Sequence, residues 1–119
     1  MASILLGKKI PLTVVMPDEL FLLITIAPIH EYTDGKATDK IIGFKYEVVD
    51  TVDFNKIWVK IPGQPVPLMS NEELLELRDK GEKVAVEFED ATVLPYWNWA
   101  TKSVDDSFSA TDVRLVKAE

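Results

Sequence analysis

The chain holds one histidine and no cysteine among its 119 residues, and those two facts bound the chemistry it can carry. A lone imidazole excludes paired-histidine metal motifs and leaves Ser-His-Asp catalysis a single position. That position, His30, follows Pro28 at the end of an apolar run, where a surface or hydrogen-bonded imidazole is expected. Without cysteine there is no disulfide, no thiolate zinc site, no redox dithiol and no sulfur nucleophile. No G-x-S-x-G elbow or phosphate-cradling glycine loop occurs, and the five glycines stand singly. Glu87, Glu89 and Asp90, with Asp105 and Asp106, are donor types for a hard cation. In a chain with 20 Asp and Glu, though, solvated carboxylates on strands and loops are the ordinary case. The expectation is a non-enzymatic protein with no catalytic residue, no metal and no cofactor.

The aromatic residues give a sharper pattern. Trp58 alternates with Ile57, Val59 and Ile61, which places it on the opposite face of a strand, flanked by Lys56 and Lys60. Lys45, on a neighbouring segment, has the same parity. An aromatic ring among lysines is what sequence-tolerant binding of single-stranded DNA or RNA requires, because every base has a face to stack and every phosphate a charge to pair. The competing reading packs Trp58 beneath a helix or loop, with lysine stems lying along the ring. Tyr96, Trp97 and Trp99 form the densest aromatic cluster. Alternation sends both tryptophans to one face and Tyr96 to the other, and at least one tryptophan is expected in the core. A net charge of −7 counts against a general basic footprint, although a local stripe binds when the remaining surface is acidic.

These side chains need strands to position them, and a period of two dominates the hydrophobic pattern. Pro11 to Met16 reads as a short strand ended by Pro17. Leu20 to Ile29 is nearly continuous apolar residue, fitting a strand buried on both faces better than a helix that Pro28 would break. Glu31 to Lys40, with Thr33, Asp34, Gly35 and Lys36, reads as a mobile polar loop. From Ile41 the alternation sets Ile42, Phe44, Tyr46 and Val48 against Gly43, Lys45, Glu47 and Val49. Asp50 to Asn55 then turns the chain into Lys56 to Ile61, completing a hairpin. Pro62, Gly63, Pro65 and Pro67 stop the sheet. Ser70 and Glu73 have capping-box spacing, and Gly81 closes a helix over Asn71 to Lys80. Lys83 to Glu89, Thr92 to Ala100 (with Pro95 marking an edge or bulge) and Asp112 to Lys117 read as strands, and Lys102 to Ala110 as a second loop.

A chain of this length fits one domain over residues 1–119, and burying about two-thirds of its unfolded surface it needs no staple. The first residues read as structured, since Lys8 and Lys9 follow Ile4 to Leu6 instead of preceding it as a secretory leader requires. No apolar stretch reaches the length of a membrane span. A soluble, cytoplasmic protein without a membrane role is expected. One short helix cannot cover both faces of an open sheet, so the fold class is mainly β (α+β), a small barrel. A helix after the third principal strand is the layout of an OB-like barrel, with a PUA-like barrel as the alternative.

The stretch from Tyr46 to Val116 carries VKIPGQPVPL at Val59 to Leu68, an aromatic strand with Trp99, and ATDVRL at Ala110 to Leu115. In these it resembles the helicase-processivity, YdcP-like family encoded by integrative and conjugative elements of Gram-positive bacteria. The resemblance covers about the last 70 residues. It implies an OB-like accessory protein that binds single-stranded DNA and helps a helicase unwind the mobile element's DNA during conjugative transfer or replication. Ile61, Pro62, Pro67 and Asp112, which match, read as fold-determining, so the binding residues remain those read from spacing: Lys45, Lys56, Trp58 and Lys60. Two other readings stay open, an acidic protein-interaction module with a basic partner and a PUA-like RNA-binding regulator of conjugation genes.

Overall fold

The computed structural model describes residues 6–12, 20–51 and 54–116. Met1 to Met16, read above as structured, and the strand over Pro11 to Met16 lie largely outside them; within them Ile10–Pro11 forms a two-residue strand, β1. The longer strands follow as β2 (Phe21–Thr33), β3 (Lys36–Asp50) and β4 (Lys56–Pro62). A helix, α1 (Asn71–Asp79), precedes β5 (Ala85–Glu89), β6 (Thr92–Asn98), β7 (Ser103–Ser109) and β8 (Asp112–Leu115). The protein is thus mainly β with a helix after the third long strand.

The eight strands form one sheet in the order β1-β6-β7-β4-β3-β2-β5-β8, with β1 and β8 as its edges. Every pairing is antiparallel except β4 with β7, where Val59 faces Phe108 and Lys60 faces Ser109. Two pairs of strands are barely interrupted. Only Asp90 and Ala91 separate β5 from β6, and only Ala110 and Thr111 separate β7 from β8, and the two bent segments pair along both halves. Thr111 N–H donates to Glu89 O at 2.9 Å and Ala110 N–H to Lys60 O at 2.9 Å, which hold the bend. One half of this bent hairpin therefore joins β2 through β5 while the other joins β4 through β7, and the sheet curls about a core containing Phe21, Leu23, Tyr46, Val59, Leu74 and Val86.

Local chemistry explains the elements. On β4 the alternation is strict, with Ile57, Val59 and Ile61 buried between exposed neighbours. On β2 it is not. Leu23 pairs with Val48 and Thr25 with Glu47, leaving Ile24 as an extra residue, so Leu23 and Ile26 both reach the core despite a spacing of three. The expected strand buried on both faces is therefore a bulged strand with one core face. Its outer edge is met by α1 where no strand pairs: Ile26 N–H donates to Asn71 Oδ1 at 3.1 Å and Arg78 Nη1 to Ile24 O at 2.8 Å. Ser70 caps α1 by accepting the Glu73 N–H at 3.1 Å, and Gly81, at φ 79°, follows the Lys80 cap.

Two expected loops are strands. Glu31 to Lys40 belongs to the β2–β3 hairpin, which turns only at Asp34 (φ 52°) and Gly35 (φ 78°). Asp-Gly with both residues at positive φ is the two-residue turn whose twist matches that of the strands. Lys102 to Ala110 contains β7, paired with β6 on one side and β4 on the other. Pairing with β6 along its whole length, and with β4 at Phe108 and Ser109, outweighs the low strand preference of Asp105, Asp106 and the serines.

The proline-rich segment after β4 is fixed by Tyr46. Its hydroxyl donates to Gln64 Oε1 at 2.6 Å and accepts the Leu68 N–H at 3.0 Å. Burial pushes the phenol above its ordinary pKa, against the lowering effect of those two hydrogen bonds.

Candidate nucleic-acid interface

Lys45, Lys56, Trp58 and Lys60 share the outward face of β3 and β4, because the buried parity of these strands belongs to Tyr46, Val48, Ile57, Val59 and Ile61. The β3–β4 register sets Lys45 opposite Lys60 and Glu47 opposite Trp58. Trp58 is 37% exposed, and Lys45 Nζ lies 5.0 Å from its ring centroid, a cation–π contact. A lysine lies on the ring, as the packed reading required. The exposure is that of a surface residue.

Neighbours orient the charges around the ring. Lys60 Nζ donates to Ser107 Oγ at 3.3 Å across the β4–β7 pairing, and Glu47 Oε1 accepts from Thr25 Oγ1 at 3.0 Å. Opposed lysines repel by a few tenths of a kcal/mol or more. Lys45 reaches Trp58 on β4, and Lys60 reaches Ser107 on β7.

The face continues over β7 and β6. Tyr96 pairs with Asp105 and Leu94 with Ser107, and these have the parity opposite to buried Val93 and Pro95. Tyr96, 39% exposed, thus belongs to the same outward surface as Trp58. Alternation had separated it from Trp97 and Trp99, but only the β4–β7 pairing, which joins distant segments, brings it round to Trp58. The expectation of a core tryptophan in this cluster fails. Trp97 is 41% and Trp99 81% exposed, because the β6–β7 hairpin runs on past the last buried position, Pro95. Their rings pack edge-to-face at 5.9 Å.

His30 sits on the β2–β3 hairpin with Nδ1 2.9 Å from Thr38 O. A carbonyl only accepts, so Nδ1 carries the proton and the imidazole is a structural donor. The acidic residues considered for a cation are not gathered. Glu87 and Glu89 lie on β5 near Asp112, with Arg114 bonded to Glu87, while Asp105 and Asp106 lie on β7. Among the described residues no group of three acidic or imidazole side chains is placed to hold a metal. Among the described residues, too, no helix is long and apolar enough to cross a membrane.

No family model matches the chain, and neither a curated protein nor a solved structure does.

Proposed function

We propose that the protein binds single-stranded nucleic acid across the outward face of β3 and β4, as a non-enzymatic accessory factor. The observation that carries this reading is Trp58, partly exposed and surrounded by Lys45, Lys56 and Lys60 on one face. A base stacks on the indole, the Lys45 ammonium leaves the ring for a phosphate, and Lys56 and Lys60 pair with neighbouring phosphates. Stacking of this kind contributes about 1–3 kcal/mol per base.

The strand order supports an OB-like arrangement. With β5–β6 and β7–β8 each counted as one bent strand, five strands run in the order β2, β3, β4, β7–β8, β5–β6 and back to β2, with α1 after the third. In that layout the second and third strands carry the ligand face, and here they are β3 and β4. Charge distribution agrees with it. Residues 71–90 hold eight carboxylates and three cations, whereas residues 36–62 hold five lysines and four carboxylates. The negative excess is concentrated in the stretch from α1 through β5, not on the proposed binding strands.

Assistance to a helicase in conjugative DNA transfer or replication, in a bacterial cytoplasm, is the setting that the family resemblance implies. The acidic surface around α1 favours a second reading, a docking face for a basic protein, which accommodates a helicase partner as well. Titrating a labelled single-stranded oligonucleotide with the protein tests the first reading, and an RNA competitor separates it from the PUA-like, RNA-preferring alternative. Absence of binding at low salt overturns nucleic-acid recognition and leaves the protein-interaction reading.

A further inference from the structure

The strands β5–β6 and β7–β8 form one bent hairpin, and its two ends carry unlike surfaces. At the closed end Asn98 pairs with Ser103, and the chain turns through Trp99, Ala100, Thr101 and Lys102. Asn98 fixes that turn. Its Oδ1 accepts the Ala100 N–H at 2.9 Å and its Nδ2 donates to Asp105 Oδ2 at 2.7 Å, while the Thr101 and Ser103 hydroxyls share a hydrogen bond of 2.7 Å. Trp97, Trp99 and Val104, which lies opposite Trp97, are thus exposed on a tip that is already ordered. Less ordering remains to oppose binding there. The charge beside the tip is positive. No carboxylate occurs from Ala91 to Val104, a stretch that holds Lys102. Lys8 and Lys9 run beside β6, because Gly7 N–H donates to Pro95 O at 2.8 Å and Ile10 pairs with Val93.

The open end of the same hairpin meets α1 in a recess of about 380 Å³. Leu20, Leu77, Val84 and Leu115 give it an apolar lining. Such a volume lies within the range of pockets that take small organic groups, about 300–1,000 Å³. Leu77, Glu82, Lys83 and Val84 of its wall belong to residues 71–90, the stretch with eight carboxylates and three cations. One end of the hairpin is therefore an aromatic projection among cations, and the other an apolar hollow in the acidic part of the chain.

We propose that the Trp97 and Trp99 tip of one copy seats in the recess of the next, so that the protein self-associates head to tail. Tip and recess stand at opposite ends of the hairpin, which leaves the recess to another copy's tip. A tryptophan buries about 150–250 Å² of apolar surface, and tryptophan is enriched among the residues that dominate interface energies. Opposite charge on the two surfaces favours this pairing over tip against tip. Because the paired surfaces differ, each added copy leaves one tip and one recess free, and growth does not stop at a dimer. A hairpin end in a single recess makes a contact smaller than the standard interface of about 1,200–2,000 Å², so association is reversible and rises with concentration.

Sedimentation velocity over a concentration series tests this on the whole chain. The wild type is expected to show a mass that climbs with concentration beyond that of a dimer. Trp97→Ser/Trp99→Ser removes the tip, Leu115→Glu puts a carboxylate in the recess, and circular dichroism checks both folds. Each variant alone is expected to associate at least about thirtyfold more weakly. An equimolar mixture of the two is expected to regain association but to stop at a dimer, with the tip from one variant and the recess from the other. A wild type that stays monomeric, or that stops at a dimer, overturns the proposal whatever the variants do. So does a folded variant that associates like the wild type, or a mixture of folded variants that associates no better than its components. No oligonucleotide is present, so the outcome is independent of the nucleic-acid reading.

Discussion

Lys45 serves two partners in the proposed mechanism, the Trp58 ring in the free protein and a phosphate in the complex. Lys45→Met keeps much of the stem but removes the charge, so the slope of log affinity against log salt for a single strand should fall in magnitude by about 0.7. Thermal stability should change by no more than about 1 kcal/mol, the worth of an exposed cation–π contact. An unchanged salt slope would remove Lys45 from the interface. Tyr46 is the contrasting residue, buried and structural. Tyr46→Phe orphans the Leu68 N–H and Gln64 and should cost about 1–3 kcal/mol, measured by denaturant unfolding. Because its pKa is raised on folding, the neutral phenol's contribution is intact below about pH 10 and declines as pH rises from there towards the folded pKa. The Phe variant should lack that part of the alkaline decline. Strand parity was enough to place Trp58 and its three lysines on one face. It could not show Lys45 over the ring, or Tyr96 on the same surface, since those depend on register between segments far apart in sequence.

The element scale shows which features periodicity captures. Clean alternation located β3 and β4, and the Ser70 and Glu73 spacing located α1. Polarity misled twice: the β2–β3 turn needs only Asp34 and Gly35, and β7 owes its conformation to pairing with β6 along its length and with β4 at its end. The Ile24 bulge was equally hidden, because an unbroken apolar run gives no sign of where one residue is extra. Gly43 carries a constraint that alternation treated as an ordinary outward position. A Cβ there would come within 2.5 Å of Ile61 O, and because that atom is backbone the two strands must separate. Gly43→Ala should therefore destabilise the fold by about 1–3 kcal/mol, visible as a fall of several degrees in Tm. Wild-type stability in that variant would mean that β3 and β4 approach less closely at the end of β4 than described.

Over the whole chain the negative excess is uneven, and most of it falls within residues 71–90. On the proposed reading, the acidic stretch from α1 through β5 would repel a polyanion and leave the β3–β4 face to bind it despite the negative net charge. Net charge counts against nucleic acid, and the proposal depends on a local lysine stripe that an average over the chain does not resolve. The most direct test of this arrangement is anisotropy of a labelled single-stranded oligonucleotide titrated with the wild type and with Trp58→Ala, at two salt concentrations. Trp58 is partly exposed, so the variant should remain folded, and loss of about 1–3 kcal/mol of stacking weakens binding by about 5- to 150-fold. The expected result is salt-sensitive binding by the wild type and a loss of that size in the folded variant. Wild-type binding that a folded Trp58→Ala variant reproduces unchanged would contradict the interface proposed on β3 and β4.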